Sequence, residues 1–175
     1  MKQNEEYIIP VGGLSLGEHK VSYLVDGAFF NAFESSVIAN CAVNLGITIL
    51  KESSMLVIDF SQSGNLTLAC DRCSYDMNVS VSGENRLIVK YGDEDLQEED
   101  DVVIVKDTKG RLDLSQYVYE YIHLQIPQKN VHKEGGCNTT VLDRLDKLNG
   151  TIKDSSAIDP RWEALKNINQ NIQQK

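Results

Sequence analysis

The chain has 175 residues, 41% of them hydrophobic and 25% charged, enough for one ordinary globular domain with its own core and too balanced for wholesale disorder. A formal net charge of -9 excludes indiscriminate coating of nucleic acid or anionic membrane, so contact with either needs a local basic patch. No apolar run approaches the roughly 18 residues of a membrane span, and Met1-Lys2-Gln3-Asn4-Glu5-Glu6 lacks a signal-peptide core.

A cytoplasmic location is therefore expected. There, cysteines read as metal or redox groups and not as disulfides.

Tyr7-Ile8-Ile9-Pro10 predicts a short apolar strand, and Gly12-Gly13 a turn. Lys20 to Asp26 alternates cleanly, with Val21, Tyr23 and Val25 on one face of a half-buried strand. Asp26-Gly27 ends it. Phe29 and Phe33 stand four apart on a helical turn, with Phe30 beside them, and predict a plug for the core. Val37, Ala39, Cys41, Val43 and Leu45 hold period two, and Ile47 and Ile49 continue it past Gly46. That predicts one long strand, bent or bulged at the glycine, with Cys41 as a small buried hydrophobe.

Ser54 to Phe60 predicts another strand, and Ser61-Gln62-Ser63-Gly64-Asn65 a polar hairpin loop. Leu66 and Leu68 then lead into Cys70-Asp71-Arg72-Cys73, and Tyr75, Met77, Val79 and Val81 lead out. Two antiparallel strands joined at a thiol-bearing turn are expected. Ser82-Gly83-Glu84-Asn85 reads as the next turn and Arg86 to Tyr91 as the next strand, completing a meander. Seven of the nine residues from Asp93 to Asp101 are acidic, the pattern of a solvated loop without the glycine and ligand periodicity of a calcium site. Val102 to Val105 is apolar on both parities and is expected to be a central strand.

Asp113 is a good helix cap, and Gln116 fits a capping box. Leu114, Val118, Tyr121 or Ile122, and Gln125 or Ile126 trace a stripe that Pro127 stops, predicting a helix over 113–126 that packs on the sheet. His123 falls near that stripe as a structural histidine. Val141, Leu142, Leu145 and Leu148 predict a short amphipathic helix ending at Gly150, and 151–158 a linker. Asp159-Pro160-Arg161-Trp162 is a strong helix start, with Trp162, Leu165, Ile168 and Ile172 forming a stripe that should dock on the body or on a partner.

The chemistry concentrates at four residues. Cys70 and Cys73 can aim two sulfurs at one point, and His132 and Cys137 offer two further ligands on a loop whose Gly135-Gly136 lets the backbone curl. A fully protein-ligated set of this kind is a structural zinc site, and Arg72 beside the thiols would favour thiolate. A metal-free knuckle is the alternative. A redox pair fits less well, since such pairs usually open a helix and this one lies between strands. There is no G-x-S-x-G, no H-E-x-x-H, no phosphate loop and no dinucleotide fingerprint.

Taken together, Tyr7-Ile8-Ile9-Pro10 with Gly17, Phe29-Phe30-x-x-Phe33, Leu68-Ala69-Cys70-Asp71-Arg72-Cys73, Asp113-Leu114-Ser115, Leu124-Gln125-Ile126-Pro127, His132 to Cys137 and Asp159-Pro160-Arg161-Trp162-x-x-Leu165 resemble the YceD family in its Bacteroidetes-type form. That family is described as large ribosomal RNA subunit accumulation proteins. The resemblance implies a non-catalytic factor for 23S rRNA accumulation and large-subunit assembly. Its implied partners are 23S rRNA, ribosomal proteins or assembly factors, with no membrane and no small-molecule substrate.

The expected fold is α+β: an antiparallel, strongly curved sheet or partial barrel, one packing helix and a C-terminal helical arm. Residues 1–137 would form the β-rich domain with its knuckle, and 138–175 the helical tail. Because phosphate contacts dominate RNA affinity, the acidic balance directs attention to Arg72, Lys106, Lys109, Arg111, Lys129 and Lys133 as a local basic surface. A partner docked through Trp162 is the other route. A protein adaptor that never touches RNA is the second functional reading, and a zinc hydrolase with an open coordination position the third.

Overall fold

Period-two alternation carries the first half of the chain into sheet. A computed structural model of the protein describes residues 5–33, 36–91, 102–105, 110–148 and Arg161. By its internal contacts the chain divides into two units, Met1–Cys137 and Asn138–Lys175.

The first unit holds a two-stranded and a five-stranded sheet. In chain order its elements are β1 (Ile8–Pro10), β2 (Gly17–Asp26), α1 (Gly27–Asn31), β3 (Asn40–Lys51), β4 (Met55–Ala69), β5 (Asp76–Tyr91), β6 (Val102–Val105), β7 (Arg111–Asp113) and α2 (Ser115–Leu124). β1 pairs with β7, and the main sheet runs β2-β3-β4-β5-β6. The α+β class holds, but the sheet is neither closed into a barrel nor strongly curled. Nor is it wholly antiparallel: β6 runs parallel to β5, with Ile88 opposite Val102. β6 is also an edge strand and not a central one. Its apolar run is half-buried over Val102 to Ile104.

Two segments with turn-like composition are strand interiors. Ser61–Asn65 lies inside β4 and Ser82–Asn85 inside β5. They face each other across one hairpin, Gln62 opposite Gly83 and Ser61 opposite Glu84, with Gly46 of β3 on the far side of Ser61. Two polar stretches in register satisfy each other's backbone groups, so neither reverses the chain. Gly64 is a steric necessity there. A Cβ at Gly64 would collide with the Ala42 carbonyl oxygen and come 2.6 Å from Val43 Cα. A Cβ at Gly83 would strike the side chain of Gln125, just beyond α2.

One face of the sheet is the core. Val43, Leu45, Ile47 and Ile49 of β3, Leu56, Ile58, Phe60 and Leu66 of β4, and Leu87 and Val89 of β5 are almost fully buried. They form one cluster with Leu114, Val118 and Ile122 of α2. Each fully buried aliphatic of this set stabilises the fold by about 1.5–3 kcal/mol. Phe29 and Phe30 plug the end of that core, and Phe33 stacks on Tyr119 with ring centroids 4.2 Å apart. Asp26 caps α1 by accepting from the Ala28 and Phe29 amides. Cys41 is buried, with Sγ 3.4 Å from the Val25 carbonyl. Lys51 Nζ donates to the Val11 and Leu14 carbonyls, each at 2.8 Å, tying the N-terminal segment to β3.

The helix over 113–126 is shorter than expected. Asp113 ends β7, its carboxylate accepting from the Ser115 amide at 2.9 Å, and α2 begins at Ser115 with Leu114 in the cap position. Gln116 bonds Glu120 and makes no capping box. His123 is held through Nδ1 by the Tyr119 carbonyl, 2.8 Å away. The chain leaves α2 through Gln125 and Ile126 into Pro127.

In the second unit, α3 (Thr139–Leu148) follows Asn138, whose side-chain oxygen accepts from the Val141 amide. Leu148 is exposed. The acidic run 93–101, the linker 151–158 and the tail stripe from Trp162 lie outside the described residues. No described helix is long and apolar enough to cross a membrane.

Gly64→Ala should cost about 3 kcal/mol, because its new methyl meets backbone and not a movable side-chain end. Ser63→Ala, on the exposed face, should stay within about 0.5 kcal/mol of the parent. Urea denaturation of both variants checks the pair.

Candidate metal centre

The tip of the β4–β5 hairpin supplies two ligands. Ala69 and Asp76 are the last paired residues, and between them the Cys70 amide donates to the Tyr75 carbonyl at 2.9 Å and the Ser74 amide to the Cys70 carbonyl at 2.8 Å. Ser74 takes a left-handed φ of 59°, which closes the reversal. Cys70 and Cys73 are turned inward by this bend and are 1% and 2% exposed.

The loop after α2 supplies the other two. It is clamped to the hairpin tip from both sides: the Asp71 amide donates to the Asn130 carbonyl at 2.7 Å, and the Asn130 amide donates to the Asp71 carboxylate at 2.6 Å. The Asn130 side chain also donates to the Pro127 carbonyl, bracing the exit from α2. Farther on, the Gly136 amide donates to the Lys133 carbonyl at 2.9 Å, and Gly135 has a φ of +78°. A Cβ at Gly136 would press on the Lys133 carbonyl at 3.1 Å and on His132 Cβ at 3.2 Å. This doubling back delivers Cys137 to His132.

The four ligand atoms lie within 4.8 Å of one another. Cys70 Sγ is 3.9 Å from Cys137 Sγ, Cys73 Sγ is 3.4 Å from His132 Nδ1, and Cys137 Sγ is 3.9 Å from the same nitrogen. All four cysteines of the chain are free thiols. A tetrahedral zinc site with its usual bond lengths needs edges of about 3.8 Å between sulfurs and about 3.6 Å between sulfur and nitrogen. The three separations just given lie within about 0.3 Å of those edges. His132 Nε2 lies 3.2 Å from the Asp76 carbonyl and donates to it, which leaves Nδ1 facing the sulfurs. These residues could hold a metal ion.

Their protonation is already skewed. Burial pushes the Cys70 thiol up, but the backbone amides of His132, Arg72 and Cys73 together outweigh it and bring it to about 6. Arg72 favours the thiolate, as expected from the sequence, through its main-chain N–H. The hydrogen bond with Cys70 raises His132 above its ordinary value, against the opposing effect of burial. Burial, followed by the neighbouring Cys73 and Cys70, raises Cys137. Without metal the site is thus biased toward a thiolate beside an imidazolium, a charge pattern that a cation replaces.

Of the other residues singled out in the sequence, Arg72 stands exposed on the hairpin tip, and Lys129 and Lys133 stand exposed on the clamped loop. Arg111 lies on β7, in the two-stranded sheet, and is not part of this cluster. Lys106, Lys109 and Trp162 lie outside the described residues. Sequence reasoning missed the Asp71–Asn130 clamp and the Asp76 carbonyl. Asp71 sits between the two cysteines, yet nothing in the sequence pairs it with a residue so far along the chain.

Asp71→Ala should loosen the loop while leaving all four ligands in place. The expected cost is about 1–2 kcal/mol, with faster hydrogen exchange at the Asn130 amide and unchanged exchange in β3.

Comparison with known proteins agrees with the residue pattern. Residues 58–169, more than half of the chain, match the family described as "Large ribosomal RNA subunit accumulation protein YceD". No match was found among curated proteins or among solved structures. The matched stretch contains the hairpin tip, α2 and the whole clamped loop, and the chain belongs to the YceD family of large ribosomal RNA subunit accumulation proteins.

Proposed function

We propose that this protein is a non-catalytic factor in 23S rRNA accumulation, acting in the cytoplasm during large-subunit assembly, and that a structural zinc ion pins its clamped loop to the β4–β5 hairpin. One observation carries the reading. Three buried sulfurs and one oriented imidazole nitrogen stand within 4.8 Å of one another, inside a chain of the rRNA-accumulation family. Four protein ligands leave no position for a water, which argues against a zinc hydrolase. Thiolate-rich ligation selects zinc over the hard cations magnesium and calcium. The ion would supply no reaction; it would hold a surface rigid.

That surface carries three exposed cations among the carboxylates of Asp71, Asp76 and Glu134. Arg72, Lys129 and Lys133 surround the site and are the residues proposed to face rRNA or a ribosomal partner. Lys106, Lys109, Arg111 and Trp162 remain proposed contacts on sequence grounds. The adaptor reading, in which a ribosomal protein is bound and RNA is not, differs in its salt response, since phosphate contacts weaken steeply as salt rises.

Two measurements test the proposal. Purified protein should carry one zinc per chain, and C137S should lose it; a chain purified without zinc and unable to take it up would end the metal half. Loading releases protons from His132 and Cys137, and from Cys70 below about pH 6. Affinity should therefore rise from pH 6 to pH 8 and fall on acidification, as competition with a chromophoric chelator reads. In cells, deletion should lower the ratio of 23S to 16S rRNA, and an unchanged ratio would end the ribosomal half.

A further inference from the structure

A groove of about 730 Å³ runs beside the metal centre, between β5 and the clamped loop. β6 pairs with β5 only over Ile88–Tyr91, so from Asp76 to Leu87 that edge of β5 carries no strand among the described residues. The loop stands off this edge and is joined to it where His132 Nε2 meets the Asp76 carbonyl. Met77 and Val79 of β5, with Pro127 and Val131 of the loop, give the groove an apolar lining, and Lys129 and Lys133 bring two ammonium groups to it. Among the described residues neither lysine has an ion-pair partner, nor does Arg72 on the adjoining hairpin tip. The exposed carboxylates of Asp71, Asp76 and Glu134 share the region with these three cations, so it is near neutral within a chain of net charge -9, and the two lysines are the charges that line the groove itself beside Asp76.

From this juxtaposition we infer that the groove binds an unpaired segment of RNA, with Lys129 and Lys133 on successive phosphates and the apolar wall against a splayed base. Apolar surface between two cations suits a ligand that alternates flat, uncharged faces with anionic links. Unstacked RNA has that alternation; a duplex hides its base faces inside the helix. The open backbone edge of β5 adds donors and acceptors for base edges. The metal centre fixes the loop, and so fixes the width of the groove.

The inference rests on the rRNA reading above, yet the two fail separately: an unchanged rRNA ratio on deletion ends that reading, while binding in vitro decides this one. The test uses the zinc-loaded full chain and a labelled, unstructured 12-nucleotide RNA, read by fluorescence anisotropy across a salt series. The single strand should bind at least tenfold more tightly than a duplex of the same sequence. K129A/K133A should weaken binding and flatten the log–log salt slope by about 1.4, at roughly 0.7 per lost phosphate contact on a single strand. Met77→Ala should weaken binding with the slope unchanged. Zinc content and melting temperature of each variant report that it is folded. Equal affinity for the duplex, an unaltered slope in K129A/K133A, or displacement of the RNA by an equal concentration of an acidic peptide would each overturn the inference.

Discussion

The reach of the His132–Cys137 loop back to the β4–β5 hairpin tip is the contact on which the arrangement depends. Most other long-range associations among the described residues of the first unit are sheet pairing or core burial, which the apolar pattern enforces over many residues at once. This one is made by a few polar atoms. The Asp71–Asn130 clamp sets the approach, the Gly135-Gly136 reversal sets the return, and the sulfurs and imidazole meet within 4.8 Å of one another. Such a loop would bury little apolar surface by itself. Charge-assisted hydrogen bonds, and coordination once the proposed ion is bound, would stand in for the core it lacks.

The hairpin and the helix divide the work. β4 and β5 form a long, regular ribbon whose only reversal is the thiol-bearing bend. α2 covers one face of that ribbon and ends where Pro127 turns the chain toward the bend. The loop therefore starts and finishes on rigid elements, and its exposed lysines are presented from a fixed frame.

Much of this was legible in the residues. Alternation identified β2, β3 and the strands flanking the knuckle, and the phenylalanine spacing identified the core plug of α1. The four ligands were legible because cysteine and histidine at those spacings have few other uses together. What failed was composition read without partners. Ser61–Asn65 and Ser82–Asn85 look like turns singly; facing each other in register they are a ladder. Val102–Val105 looks central because it is apolar on both parities, yet it lies at the edge, parallel to β5. Strand order and direction depend on which segments meet, a property no local window contains. The same limit hid the Asp71–Asn130 clamp.

Cys137 is the final residue of the first unit, and that position has a kinetic corollary. On a nascent chain the hairpin with its two thiols emerges early, whereas the fourth ligand leaves the ribosome only when the entire unit has been made. Were the proposed ion bound, its coordination could be completed at no earlier moment. A chain cut short anywhere before Cys137 would lack the fourth ligand of that proposed centre.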